Sequence, residues 1–224
     1  MNQLDDLLTP QLEALPEGEL WLGFSGGLDS CVLLHALAAL PLARRHSLTA
    51  LHICHHLQAQ ADEWAEHCQT FAEQLDVRFI RHDVHVSGIE ALGVEAAARK
   101  ARYTAFDQCL PSPSTLALAH HQNDQAETVL MRLLHGAGHE GLAGMKMLRA
   151  LRHNDSDRRI WRPLLNTPRS VLERYAQHHR LDVIDDPSNA DVRFMRNRLR
   201  HRVLPVLRKE FPNADATLIA SAKR

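Results

Sequence analysis

Short apolar runs alternate with amphipathic stretches along most of this chain. "LWLGF" (20–24) is a continuous apolar run of strand length, and "SLTALHIC" (47–54), "VRFIRHDV" (77–84) and "TLALAH" (115–120) also read as strands. Between them lie segments of helical character. These are residues 30–40, stopped by Pro41; "ADEWAEHCQTFAEQL" (61–75); "VEAAARKARYTAFDQCL" (94–110), ended by "PSPS"; and "NDQAETVLMRLLHG" (123–136), closed by glycine. "RRIWRPLL" (158–165) reads as a last strand. "TPRSVLERYAQHHR" (167–180) predicts a helix capped by Thr167, with Pro168 at its first position. Strands alternating with helices imply parallel β-α-β units, hence an α/β fold with a doubly wound, mostly parallel sheet. Segments 85–93 and 136–144 read as loops with room to move. Near the end, Met195, Leu199, Val203 and Leu207 recur every four residues and predict one buried helical stripe, kinked or ended by Pro205. The chain thus divides into a helical lead (1–18), an α/β domain (19–185) and a small helical extension (186–224).

Composition sharpens the picture at one point. The 224 residues are 45% hydrophobic and 24% charged, which suits a folded soluble domain. No window of 18 apolar residues exists, so no membrane partner is expected. The opening residues lack a basic start and a small-residue cleavage site, and the four cysteines (Cys31, Cys54, Cys68, Cys109) are scattered. Both point to a reduced, cytoplasmic protein. The net charge of −1 conceals a split. Residues 1–143 hold 8 Lys+Arg against 18 Asp+Glu, and residues 144–224 hold 18 against 9. "RFMRNRLRHRVLPVLRK" (193–209) carries seven basic residues and no acid. Such asymmetry suggests a polyanionic partner; the bland alternative is that the two halves neutralise one another by packing together.

The candidate chemistry begins where the first strand meets the first sheet helix. In "LWLGFSGGLDSCVLL" (20–34), Gly26 and Gly27 permit a tight turn and close approach to the backbone. The N–H groups opening the next helix lack intrahelical partners and carry partial positive charge, which suits phosphate. A plain tight turn, with Asp29 and Ser30 starting the helix, is the alternative. Neither G-x-x-x-x-G-K-[ST] nor G-x-G-x-x-G is present.

"SGGLDS" (25–30) resembles the pyrophosphate-binding loop of the PP-loop ATP pyrophosphatases, which cleave ATP between its α- and β-phosphates. The resemblance implies that Ser25, Gly26, Gly27, Leu28, Asp29 and Ser30 bind ATP and that Asp29 helps hold Mg²⁺. "GVEAAARKARY" (93–103), "LAHHQNDQAETVLMRLLHGAGHEGLAGM" (118–145), "IWRPLL" (160–165) and "DDPSNADVRFMRNRLR" (185–200) resemble the lysidine-forming branch of that family. The match covers about residues 20 to 210. It implies a ligase that adenylates the 2-carbonyl of the wobble cytidine in an isoleucine tRNA with a CAU anticodon. Free L-lysine then displaces AMP. A homodimer is a candidate assembly. Larger relatives carry C-terminal tRNA-gripping domains for which this chain has no room, and His56 in "CHHLQ" stands where the family commonly has glycine.

The residues support parts of this chemistry on their own. A lysine side-chain amine has a pKa near ~10.4, so it must be bound as ammonium and then deprotonated. Asp124 and Glu127 are three apart on one helix face and are candidates for that ammonium, with His121 as a candidate base. Helix capping by Asn123 or Asp124 is the alternative. Arg99, Arg102 and Tyr103 are candidates for phosphate and base contact, and Arg162 for the α-phosphate or the lysine carboxylate; a surface role competes for Arg162. Asn189 and Asn197 in "DDPSNADVRFMRNRLR" are further candidates for tRNA or lysine contact, and the stripe at 195–207 leaves Arg196 and Arg200 facing outward or toward the site, as candidates for the same contacts. "HICHH" and "AHH" contain potential zinc ligands, but their spacing matches no structural zinc site. Two rival functions remain: a PP-loop tRNA thiolase, which would need reactive cysteines, and a non-catalytic RNA-binding module, which would have no use for Asp29, Asp124 and Glu127.

Overall fold

Strands β1 (Glu19–Gly23), β2 (Thr49–Cys54), β3 (Arg78–Asp83), β4 (Ser114–Ala117), β5 (Leu148–Ala150) and β6 (Arg158–Trp161) form one sheet in the order β3-β2-β1-β4-β6-β5 in a computed structural model, which describes residues 3–155 and 157–222. All neighbours are parallel except β5, which runs antiparallel to β6. The helices are α1 (Gln3–Glu13), α2 (Leu28–Ala39), α3 (Pro41–Arg45), α4 (Ala61–Gln74), α5 (Ile89–Leu92), α6 (Val94–Cys109), α7 (Gln122–Leu134) and α8 (Arg169–His179). Among the described residues, none is long and apolar enough to cross a membrane.

The sheet is covered on both faces, as its strand sequences require. Successive strand residues point to opposite faces. Leu20, Leu22, Ala50, Ala117 and Trp161 accordingly join one core with α1, α2 and α8, while Trp21, Leu51, Leu116 and Ile160 join a second core under α6. Both sides of each central strand are buried, hence the continuous apolar runs. The helical lead belongs to the first core, since Leu4, Leu8 and Leu12 are almost fully buried there. The chain winds one way from β1 to β2 and β3, then crosses to the other side of β1 to enter β4. That reversal opens a crevice at the carboxyl ends of β1 and β4, where open α/β sheets bind ligands.

Three local expectations change. β5 is too short for any pattern to reveal, and it turns "RRIWRPLL" into the second arm of a hairpin that ends at Trp161. Helix α8 begins at Arg169 with Pro168 as its N-cap, so Thr167 does not cap it. The Arg169 N–H is instead bound by the Asn123 side chain at 3.1 Å, a cap supplied from α7. Segments 85–93 and 136–144 contain α5 and a 3₁₀ turn (His139–Leu142).

The C-terminal helices are present and keep Leu199 and Leu207 of the expected stripe against α7, but not Val203. They run α9 (Met195–Arg198), a π turn (Leu199–Val203), α10 (Leu204–Glu210) and α11 (Ala214–Ser221). Pro205 has no N–H, and its ring crowds the carbonyl four residues back. The wider turn absorbs this, with the Leu204 N–H bonding the Leu199 carbonyl five residues earlier. One residue is thereby added to the period. Leu199 and Leu204 are buried against Leu130 of α7, whereas Val203 is 39% exposed.

Candidate active site

The turn after β1 is built for a ligand to approach its backbone. Gly26 has φ +78°, and a Cβ there would lie 2.3 Å from Ile184 Cδ1 and 2.7 Å from Cys68 Sγ. Only glycine fits. The Ile184 N–H and the Cys31 thiol both donate to the Gly26 carbonyl, at 2.9 and 3.0 Å, so that carbonyl is turned away from the crevice. Ser30 is buried; its hydroxyl donates to the Gly27 carbonyl at 3.0 Å and lies 3.1 Å from Ser25 Oγ. The Gly27 N–H donates to Ser25 Oγ at a long 3.4 Å. No side chain caps α2, whose N-terminus at Leu28 therefore faces the crevice with its dipole available to an anion.

Asp29 lies in the first turn of α2 with its side chain about one-third exposed. Its Oδ1 is buried without a hydrogen-bond partner, which is the condition of a carboxylate oxygen suited to a cation. Its Oδ2 is 3.5 Å from Nε2 of His121, which is itself 3.4 Å from Asp124 Oδ2. His121 ends the loop after β4 and is almost fully buried. One imidazole thus lies between the glycine turn and the start of α7, close to both carboxylates, with neither ring nitrogen hydrogen-bonded.

The N-terminus of α7 concentrates the remaining acids. His121, not Asn123 or Asp124, is the N-cap, and Asp124 Oδ2 accepts its backbone N–H at 3.0 Å. Asp124 therefore takes part in capping α7 through one oxygen and leaves the other for the extension. Its other oxygen receives Arg196 at 2.9 Å and Arg200 at 3.1 Å. Glu127, 1% exposed, receives Arg196 Nε at 2.7 Å and Arg200 Nε at 2.6 Å. Burial disfavours both guanidinium charges, but the two carboxylates outweigh it and hold both groups above their ordinary pKa. Arg196 and Arg200 do not point outward toward a polyanion; they close this four-charge cluster.

A second group of cations lies beside it. Arg162 is buried at 2% exposure, which removes the surface reading. One Nη donates to the Lys146 carbonyl at 2.9 Å while its Nε has no partner. Tyr103 lies between arginines: Arg99 stacks at 4.8 Å from the ring centre and Arg149 at 5.8 Å. Burial works against the phenolate, yet Arg99, Arg162, Arg149 and Arg102 together pull the phenol below its ordinary pKa. Burial, then Arg162, Arg196, Arg102 and Arg99, drive His120 well below the usual imidazole range, so it stays neutral. Arg149 was not singled out from the sequence, since it sits on β5, which no pattern revealed. His120 stands in the "HHQNDQAET" group beside His121, but no role of its own was legible there. Asn197 is used structurally, donating to the Ser188 and Asp191 carbonyls at 2.8 and 3.0 Å, and the Asn189 carbonyl bonds His201.

The comparisons follow this geometry. The chain is 49% identical over 215 residues to tRNA(Ile)-lysidine synthase of Xanthomonas axonopodis pv. citri, covering 96% of this chain and 48% of that protein. It is 46% identical over 224 residues to tRNA(Ile)-lysidine synthase of Pseudomonas aeruginosa, covering 99% and 48%. The chain thus spans about half the length of the curated relatives it matches. Among solved structures, the U34-tRNA thiolase NcsA from Methanococcus maripaludis with its [4Fe-4S] cluster superposes with a TM-score of 0.73. That similarity covers 98% of this chain and 77% of the other at 16% identity, and speaks for the fold alone. A family model described as the PP-loop domain matches residues 1–207, nearly the whole sheet and its extension, and the chain belongs to that family.

Proposed function

We propose that this chain carries the catalytic site of an ATP-dependent ligase that joins lysine to the wobble cytidine of an isoleucine tRNA with a CAU anticodon. The observation that carries the reading is the buried pair Asp124 and Glu127, with His121 lying between it and the turn that suits phosphate. A nucleotide activation site and a site for a cationic amine lie within one imidazole of each other.

In the first step the glycine turn and the N-terminus of α2 hold the pyrophosphate end of ATP. Asp29 is suited to hold Mg²⁺, which would supply positive charge against the phosphates as the leaving group forms. The cytidine oxygen attacks the α-phosphorus, its bond to the β-phosphate oxygen breaks, and pyrophosphate departs. Arg99, Arg102, Arg149 and Arg162 form a cationic wall for RNA phosphate, the α-phosphate or a carboxylate, and Tyr103 offers a ring for stacking.

In the second step lysine must enter as a zwitterion. The site matches that charge pattern. Asp124 and Glu127 are closed by Arg196 and Arg200 in this structure, so lysine enters by opening these pairs: its ammonium replaces the guanidinium groups on the acids, and the released arginines turn to the α-carboxylate. His121 lies between Asp29 and Asp124, placed to take the amine proton as nitrogen attacks the cytidine carbon and AMP leaves. A sulfur-transfer reaction is less well served. Burial pushes the Cys31 thiol beside the turn upward and Cys68 to about 12, so both stay neutral.

Pyrophosphate release measured with ATP, isoleucine tRNA and lysine, each omitted in turn, tests the proposal. Adenylated tRNA should form without lysine, and AMP release should need it. Release that needs sulfide instead, or no RNA at all, would reject the reading.

A further inference from the structure

At the far side of the sheet three side chains converge that take no part in the chemistry above. β2 and β3 are parallel, with Cys54 opposite Asp83 at their carboxyl ends. The chain then turns at His56, whose φ of +51° is left-handed. The turn swings the imidazole back between the other two. His56 Nδ1 lies 3.7 Å from Cys54 Sγ, and Nε2 lies 2.6 Å from Asp83 Oδ1. The His56 backbone N–H also bonds the Cys54 sulfur. A cavity of about 380 Å³ opens alongside, with His55, His56, Asp83 and His85 in its wall. The His55 Nδ1 is buried and has no hydrogen-bond partner.

We propose that Cys54 and His56 form a binding site for a soft divalent cation of the Zn²⁺ class, with Asp83 orienting the imidazole and solvent from the adjoining cavity completing the coordination shell. Three observations converge. A thiolate and an imidazole on one tetrahedral ion, at ~2.3 and ~2.0 Å, stand about 3.5 Å apart. Cys54 Sγ and His56 Nδ1 are already near that separation. A metal-bound histidine ordinarily donates its second N–H to a carboxylate, and Asp83 is in that position on Nε2. Charge also balances. Arg81 is shared by Asp62 and Asp83, so these three groups leave one negative charge. A Cys54 thiolate adds a second, which a dication cancels. Binding releases the thiol proton to solvent. The inference is independent of the ligase reading, because none of these residues belongs to the glycine turn or to the acids of α7.

The test is titration of the 224-residue chain with Co²⁺, then Zn²⁺. A thiolate-to-cobalt charge-transfer band should grow to one ion per chain and vanish when Zn²⁺ displaces it. His56→Gly should remove the band while the chain stays folded, because glycine accepts the left-handed turn. Cys54→Ala should remove it as well, and Cys109→Ala should leave it intact. Asp83→Asn should weaken binding about 10- to 100-fold. Cobalt binding without a thiolate band, or a band that survives His56→Gly or Cys54→Ala, would overturn the proposal. The ion would then rest on others of the sixteen histidines.

Discussion

The glycine turn and the basic extension border the same crevice, yet they are held in opposite ways. Every hydrogen bond that closes the turn upon itself spans at most five residues: Ser25 to Ser30, Ser30 to Gly27, Cys31 to Gly26. The contacts that fix the extension span 69 to 76 residues, from Arg196 and Arg200 back to Asp124 and Glu127. A motif closed by local bonds announces itself in sequence. A motif closed by distant ion pairs shows only unbalanced charge, and unbalanced charge resembles an RNA grip. Two of the seven basic residues in 193–209 are consumed inside the molecule.

This difference is sharpest in the cost of breaking each region. Glu127→Ala should destabilise the chain by about 2–4 kcal/mol, because two partly buried guanidinium groups lose a fully buried partner. Urea unfolding measures it, and a loss below ~1 kcal/mol would mean that the cluster is a weak surface pair. The double change Arg196→Gln and Arg200→Gln should likewise lower the melting temperature. In a double-mutant cycle, the Glu127 and Arg200 changes should prove strongly non-additive.

Gly26→Ala ranks beside Glu127→Ala, at about 2–5 kcal/mol. The positive φ contributes ~1–2 kcal/mol and the clash with Ile184 and Cys68 contributes ~1–3 kcal/mol. ATP binding should disappear with it. If Gly26→Ala folds normally and binds nucleotide, the turn is not shaped by close approach. Asp29→Asn sits at the other extreme of stability. It should change unfolding by no more than ~0.5 kcal/mol, since the altered group is partly exposed and makes only long contacts. Pyrophosphate release should nonetheless be lost. Near-normal release at saturating Mg²⁺ would remove Asp29 from the phosphate site.

Much of the architecture was legible for the same local reason. Strands buried on both faces leave continuous apolar runs, and glycines with a positive φ sit where a turn is forced. Asp124 and Glu127 were recognisable as one face of a helix. What was hidden depended on distant partners or on very short elements. β5 has three residues and brought Arg149 to Tyr103 unannounced. Asn123 caps a helix that starts 46 residues later. The π turn exchanged Val203 for Leu204 because Pro205 breaks the four-residue period. Cys54, His56 and Asp83 meet only through the register of β2 on β3, which no single-strand pattern encodes.

The smallest expected effect separates what remains of the RNA grip from the internal ion pairs. Arg193 is held by Asp191 and Arg208 by Asp215. Arg198, Arg202 and Lys209 are exposed on the extension, and no ion pair to them is found among the described residues. If this surface meets tRNA, these three are the charges available to it, and the first two lie together, in α9 and the π turn that follows it. Each phosphate neutralised by protein contributes about 0.7–0.9 to the slope of log affinity against log salt. Arg198→Gln with Arg202→Gln should therefore make the salt dependence of tRNA binding shallower by about one to two units. Stability should stay within ~0.5 kcal/mol of the parent, because exposed charges contribute little to folding. The Arg196 and Arg200 pair should show the reverse, a lower melting temperature with the slope almost unchanged. Equal slopes in all three proteins would place the tRNA contact elsewhere, with the cationic wall around Tyr103 as the next surface to alter.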